Sequence, residues 1–217
     1  MARVDRRIQD GRPIASVMSA PIQELKVALR ACVRSELQPF SPAERTLASA
    51  RVCARLEQQE IWKQARSILF YAPLPDEPDV WPLVAVGLST GKTIALPRFV
   101  PKQNLYVACL IRDPVGDLHR GQFGLREPND QCPQVPLNRL DFILVPGVGF
   151  DLNGRRLGRG KGFYDRWLAD HHGTMCGVAF DQQIVGEVPV EPHDIRLSCI
   201  LTPTRWQEVG SRRAVLE

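Results

Sequence analysis

The sequence predicts an α/β protein: an open, mostly parallel sheet with helices on both faces. Three observations predict it. Short apolar segments of strand length recur at residues 68–72, 93–96, 105–111, 142–145, 175–180 and 199–201. Helical patterns at residues 79–89 and 163–171 fall between several of them. A glycine-rich loop after residue 145 and the acidic pair Asp76-Glu77 after residue 72 follow two of the apolar segments. Ligands of open α/β sheets gather at such carboxyl ends, which argues for one shared site.

The first third of the chain is helical in pattern. Residues 21–37 place Leu25, Ala28, Leu29, Cys32 and Val33 on one face. Ser41-Pro42-Ala43-Glu44 predicts a helix start, with a capping box and a proline at the first helical position. The helix it opens is expected to run to about residue 65. Gly91 reads as a helix C-cap ahead of the strand that begins at Thr93. Residues 112–139, with prolines at 114, 128, 133 and 136, predict a long loop, which in a compact domain is either disordered or functional. At 217 residues the chain suits one α/β domain, taken as residues 21–217, behind an extension at 1–20 expected to be flexible.

Charge and cysteine content narrow the function. Twenty-eight basic against 24 acidic residues leave a net charge of +4, which suits an anionic small molecule and is too small to argue for a nucleic-acid partner. Six cysteines form no Cys-x-x-Cys pair, and the four histidines form no His-x-x-x-His, so zinc is not expected. Several thiols sit in apolar runs, where they pack as small hydrophobes, and a reduced, cytoplasmic protein is expected. No apolar run approaches membrane-spanning length, so no membrane partner is expected either.

Chemistry concentrates in Leu157-Gly-Arg-Gly-Lys-Gly-Phe-Tyr-Asp-Arg-Trp-Leu168. A strand, a glycine-rich loop and a helix present backbone N–H groups to a phosphate, and the helix dipole adds partial positive charge. Arg159 and Lys161 add full charges, and Asp165, one turn in, is placed to hold a magnesium ion that travels with phosphates. The residues alone leave a plainer alternative open, because glycine clusters also mark tight loops. The Walker A pattern is absent, since Arg155 stands five residues before Gly160. The dinucleotide fingerprint is absent too, since the third glycine follows the second by two residues.

Pro146-Gly-Val-Gly-Phe-Asp151, Gly154 and Arg156-Leu-Gly-Arg-Gly-Lys-Gly-Phe-Tyr-Asp165 together resemble the signature of the 5-formyltetrahydrofolate cyclo-ligase (methenyltetrahydrofolate synthetase) family. Shorter matches fall in the family's order: Lys26-x-x-x-Arg30, Asp76-Glu77, Gly91 to Arg98, Gly124-Leu-Arg-Glu-Pro128, Val188 to Asp194, and Leu201-Thr-Pro203. The resemblance covers roughly residues 22–206. It departs from the family where Phe163 precedes Tyr164 in place of a second tyrosine, and where one residue is added before Glu77.

The resemblance implies a three-layer sheet of the NagB/RpiA/CoA-transferase-like kind. It implies cyclisation of 5-formyltetrahydrofolate, with or without a polyglutamate tail, to 5,10-methenyltetrahydrofolate, with ATP and magnesium and through phosphorylation of the formyl oxygen. By the same carry-over, Lys26, Arg30 and the stretch Gly158, Arg159, Gly160, Lys161, Gly162, Phe163, Tyr164 and Asp165 hold ATP, and Arg159 and Lys161 act on the transferring phosphate. Glu77 and Tyr164 bind folate, and Asp165 and Asp194 hold the metal. A monomer is expected. Residue by residue, plainer roles stay open: Lys26 and Arg30 as a solvated helix face, Glu77 and Asp165 as acids suited to a helix start, Tyr164 as core, Asp194 as a turn cap. A non-catalytic folate-binding or regulatory protein of the same fold is the alternative reading of the whole chain.

Overall fold

The computed structural model describes residues 21–121 and 124–210; the extension expected at 1–20 lies outside the described residues. In chain order the helices are α1 (Ile22–Leu37), α2 (Pro42–Glu57), α3 (Glu60–Gln64), α4 (Trp81–Ser89) and α5 (Phe163–Leu168). The strands are β1 (Ser67–Leu69), β2 (Thr93–Val100), β3 (Leu105–Ile111), β4 (Leu118–Arg120), β5 (Arg126–Pro128), β6 (Gln134–Val135), β7 (Phe142–Val145), β8 (Gly149–Phe150), β9 (Arg156–Leu157), β10 (Thr174–Val178), β11 (Cys199–Leu201) and β12 (Trp206–Glu208). Eight of them form one sheet in the order β12-β11-β10-β7-β1-β2-β3-β6. The strands from β11 to β2 run parallel, and the remaining pairings are antiparallel. Outside the sheet, β4 pairs with β5 and β8 with β9 as two small hairpins.

Alternation along the strands sorts side chains between the faces. Ile68, Ile94, Phe142, Cys176 and Cys199 bury on one face against residues of α2, α3 and α4, among them Leu56, Trp62 and Leu83. Their neighbours Leu69, Ala95, Ile143, Met175 and Ile200 bury on the other face with Leu168 of α5. α1 joins a smaller cluster, where Val33 and Leu37 meet Val148 and Leu157 of the β8–β9 hairpin.

Local chemistry accounts for most of the boundaries. The Ser41 hydroxyl accepts the Glu44 N–H while the Glu44 carboxylate accepts the Ser41 N–H, so the predicted capping box is present. Gly91 has φ +78, and the Gly91 and Lys92 N–H groups donate back to Leu88 and Gly87, closing α4 as a glycine C-cap does.

Other expectations are corrected. The helix expected to reach residue 65 breaks after Glu57 and restarts at Glu60. Leu56 and Trp62 are six residues apart, on different sides of an unbroken helix, yet both belong to one buried cluster. The break is the way both get inside. The predicted long loop 112–139 contains strands β4, β5 and β6. Pro128 and Pro133 mark strand edges, Pro136 precedes a 3-10 turn at Leu137–Arg139, and Pro114 lies in the turn between β3 and β4. The apolar segments at 68–72 and 175–180 pair as strands only to Leu69 and Val178.

Candidate active site

A cleft of about 270 Å³ opens beyond the carboxyl ends of β1 and β7. Ala72, Leu74 and Glu77 supply one wall, Pro97, Tyr106, Leu125 and Glu127 another, and Pro146, Gly147 and the glycine loop complete it. Of the residues expected to act, Glu77, Gly158, Arg159, Lys161, Gly162, Phe163, Tyr164 and Asp165 all line this one cleft.

The glycines serve distinct geometric needs. Gly160 and Gly162 have φ of +99 and +62, which favour glycine, and Gly162 is the residue from which α5 starts. Gly158 answers a space constraint: a Cβ there would lie 3.1 Å from the Arg156 guanidinium. That guanidinium is buried, donating to the Pro146 carbonyl at 3.0 Å and to both Asp165 carboxylate oxygens at 3.0 Å. Upstream, fully buried Asp151 accepts N–H bonds from Asn153, Arg155 and Val188, which shapes the turn between β8 and β9. In that turn Gly154 has φ +79, and a Cβ there would lie 2.5 Å from the Leu197 carbonyl oxygen. Half of the signature is therefore scaffold for the other half. At six residues, α5 is too short for a full macrodipole, so the loop's own N–H groups and cations carry what attraction it offers an anion.

Arg159 bridges two carboxylates. Its guanidinium donates to Asp76 at 2.6 and 3.2 Å and to Glu77 Oε1 at 2.8 and 3.2 Å, tying the loop after β1 to the glycine loop. Glu77 is buried and also accepts the Leu74 N–H at 3.0 Å. Burial pushes its carboxyl pKa up, and the charge of Arg159 offsets only part of this. For Arg159 burial works against the charge, but the Asp76 hydrogen bond and the charge of Glu77 outweigh it and raise its pKa.

The cations of α1 sit on the loop's other side. Lys26 is buried, with Nζ 2.6 Å from Asp194 and 2.9 Å from Glu191. Despite burial, those partners raise its pKa. The same contact outweighs burial at Asp194 and holds that carboxylate below its usual range. Arg30 donates to the Gly158 carbonyl at 2.8 Å, and its guanidinium covers the Gly160 backbone. Asp194 is not in the main cleft; it lines a neighbouring open hollow, and Asp165 lines both. Exposed His193 stands 3.9 Å from Glu191 and Asp194.

An aromatic wall runs along the cleft. Tyr106 packs on Phe163 at 5.5 Å, Phe99 at 5.3 Å and Tyr164 at 6.2 Å, with Trp167 behind. Tyr164 is half-buried, and burial followed by the Glu77 charge drives its hydroxyl pKa up. Arg156, Tyr106, Glu127 and Glu191 were not singled out in the sequence. Arg156 and Glu127 fall inside motifs quoted above, and that was their only signal. Glu191 falls at an unassigned position between Val188 and Asp194, and Tyr106 carries no signal at all, because what matters is which neighbours the fold brings to them.

An open sheet with a glycine loop and a largely apolar cleft at its carboxyl edge is the build of a small-molecule α/β enzyme. This chain belongs to the 5-formyltetrahydrofolate cyclo-ligase family, whose sequence model matches residues 22–203. It is 31% identical over 180 residues to the 5-formyltetrahydrofolate cyclo-ligase of Escherichia coli K12, covering 81% of this chain and 99% of that one. The Mycolicibacterium smegmatis cyclo-ligase is 36% identical over 152 residues, covering 64% and 75%. The NMR structure of Aquifex aeolicus 5,10-methenyltetrahydrofolate synthetase superimposes with a TM-score of 0.78 at 32% identity, covering 89% of this chain and 97% of that one.

Proposed function

We propose that this protein closes 5-formyltetrahydrofolate to 5,10-methenyltetrahydrofolate, splitting ATP to ADP and phosphate. The observation that carries the reading is the junction in one cleft of the glycine loop, with Lys161 and Arg159, and an aromatic wall with buried Glu77. A formamide carbonyl is a poor electrophile and its oxygen a poor leaving group. Moving the terminal phosphate to that oxygen makes an imidate-like phosphate; nitrogen-10 then attacks the same carbon and phosphate leaves. Little covalent chemistry is asked of the protein, which must align the formyl oxygen with the phosphate and stabilise charge on the transferring group.

In this reading the backbone of Gly158, Gly160 and Gly162 approaches the phosphates, and Lys161 neutralises their charge with Arg30 beside it. Lys26 and Arg159, held here by carboxylates, exchange those partners for phosphate oxygens. Glu77 accepts N–H groups of the pterin, and Tyr164 and Phe163 flank its flat ring. Asp165 and Asp194 fit magnesium by donor type, as hard oxygen donors on one open hollow; each is held by a cation here, Asp165 by Arg156 and Asp194 by Lys26, and would have to turn an oxygen from that partner to the ion. When bound, the ion would screen the negative charge of the phosphates. Reduced thiols suit the cytoplasm, since all six cysteines are unpaired. Among the described residues no helix is long and apolar enough to cross a membrane.

Near-ultraviolet absorbance tests the reading directly. Purified protein with 5-formyltetrahydrofolate, magnesium and ATP is expected to build up the methenyl product's absorption, and to build none without ATP. Folate binding with no product under both conditions would replace the enzyme by a folate-binding protein.

A further inference from the structure

Glu127 on β5 is 6% exposed, and it lines the same cleft as Glu77. The two carboxylates differ in what already holds them. Glu77 gives Oε1 to Arg159 and Oε2 to the Leu74 N–H. Glu127 accepts the Phe99 N–H at 3.2 Å through Oε2 and makes no ion pair with any described residue. The arginines beside it on β2 and β5 are engaged elsewhere: Arg98 with the Asn129 carbonyl, Arg126 over the ring of Trp81. The backbone makes room for this side chain, because a Cβ on Gly121 would fall 2.4 Å from its Cδ. Such a group is costly to bury unless something donates to it.

We infer that Glu127 reads the substrate's heterocycle, its carboxylate accepting the 2-amino group and the adjacent ring N–H of the pterin. This inference rests on the folate reading above. Those two donors lie side by side, as the paired N–H groups of an arginine do, and a carboxylate receives them as a fork. Tyr106 and Tyr164 pack at 6.2 Å and line the same cleft as the two acids, so a flat ring resting on that wall would offer its edges to Glu127 and Glu77. Glu127 is thus a specificity-determining residue, and Glu77 serves the other N–H groups.

The test compares 5-formyltetrahydrofolate with its analogue carrying a 2-methyl in place of the 2-amino group, in the wild type, Glu127→Gln and Glu77→Gln. The wild type is expected to prefer the amino form by about 10-fold or more in KM, as for hydrogen bonds to a charged group. In Glu127→Gln this preference collapses while the KM for ATP is unchanged; in Glu77→Gln it persists. A merely structural role would weaken both folates together and leave their ratio alone. Should the glutamine variant not fold, Glu127→Asp withdraws the charge by one methylene and gives the same readout. Preference retained in a folded Glu127 variant, or absent from the wild type, overturns the inference. A wild type that neither binds nor converts 5-formyltetrahydrofolate overturns the folate reading instead.

Discussion

The face of the sheet under α2, α3 and α4 is filled by apolar side chains and thiols, whereas the face under α5 gives way, at the carboxyl ends of the strands, to the cleft. The same strands build both. Phe142 and Leu144 point into the first cluster while Ile143 and Val145 point into the second, so each strand gives alternate residues to the two jobs. Buried charge divides unevenly. Lys26, Glu77, Asp151, Arg156 and Asp165 all lie in segments that surround the cleft or the glycine loop. Each of the five is paired or receives backbone N–H groups, as a low-dielectric setting demands. One face therefore holds the domain together, and the other stores charge where phosphate and heterocycle are expected to land.

The sharpest way to break this comparison is to damage the first face alone. Phe142 is fully buried there, and Phe142→Ala is expected to cost about 3–5 kcal/mol of stability by urea denaturation, while KM for both substrates stays at the wild-type value in the folded protein. Altered KM would show that the faces are mechanically coupled. Next in size is a change confined to the second face. Lys161→Ala is expected to weaken ATP by about 1.5–3 kcal/mol, the range for hydrogen bonds to charged groups, with an unchanged melting temperature. Unaltered ATP affinity in a titration would remove Lys161 from the site.

How much of this division the sequence carried depends on whether a feature is local. The capping box at Ser41, the C-cap at Gly91 and strands β3, β7 and β11 were legible, because periodicity and turn chemistry act over a few residues. The break between α2 and α3 was not: no glycine or proline marks it, and the burial of both Leu56 and Trp62 decides it. At the site, the glycine loop announced itself through residue types. The partners of its cations did not, since Arg159 meets Glu77 across 82 positions of sequence and Lys26 meets Asp194 across 168. Opposite charges that far apart carry no pattern that pairs them.

Glu77 sharpens the comparison within the working face itself. Replacing it with glutamine keeps the shape but weakens its hold on Arg159 and removes the charge offered to the pterin. Glu77→Gln is expected to raise the KM for 5-formyltetrahydrofolate about 10-fold, with little change for ATP because Arg159 gives up its carboxylates to phosphate in the bound state. Equal loss for both substrates, or unfolding, would make Glu77 a strut of the cleft and not a contact within it.

The smallest expected effect lies at the far end of α5. His171 is buried and makes no hydrogen bond of good geometry through either ring nitrogen. Burial lowers its pKa below the ordinary value; the Leu137 backbone offsets part of this, and the charge of His172 adds to the lowering. The sign follows from linkage: with the folded pKa below the unfolded one, about 6.5, the unfolded chain binds the proton more readily. His171 therefore leaves the fold at full stability above pH of about 6.5 and weakens it as pH falls through the folded pKa. Melting temperatures measured from neutral pH downward should drop more steeply in the wild type than in His171→Leu, which has no proton to take up. Parallel profiles would mean that the ring is neutral and inert across this range, and that acid attacks the ion pairs around the glycine loop first. The drop of Asp194 below its usual carboxylate range puts that loss at still lower pH, where the Lys26 contact is protonated away. The two acid transitions can thus be told apart by where they fall.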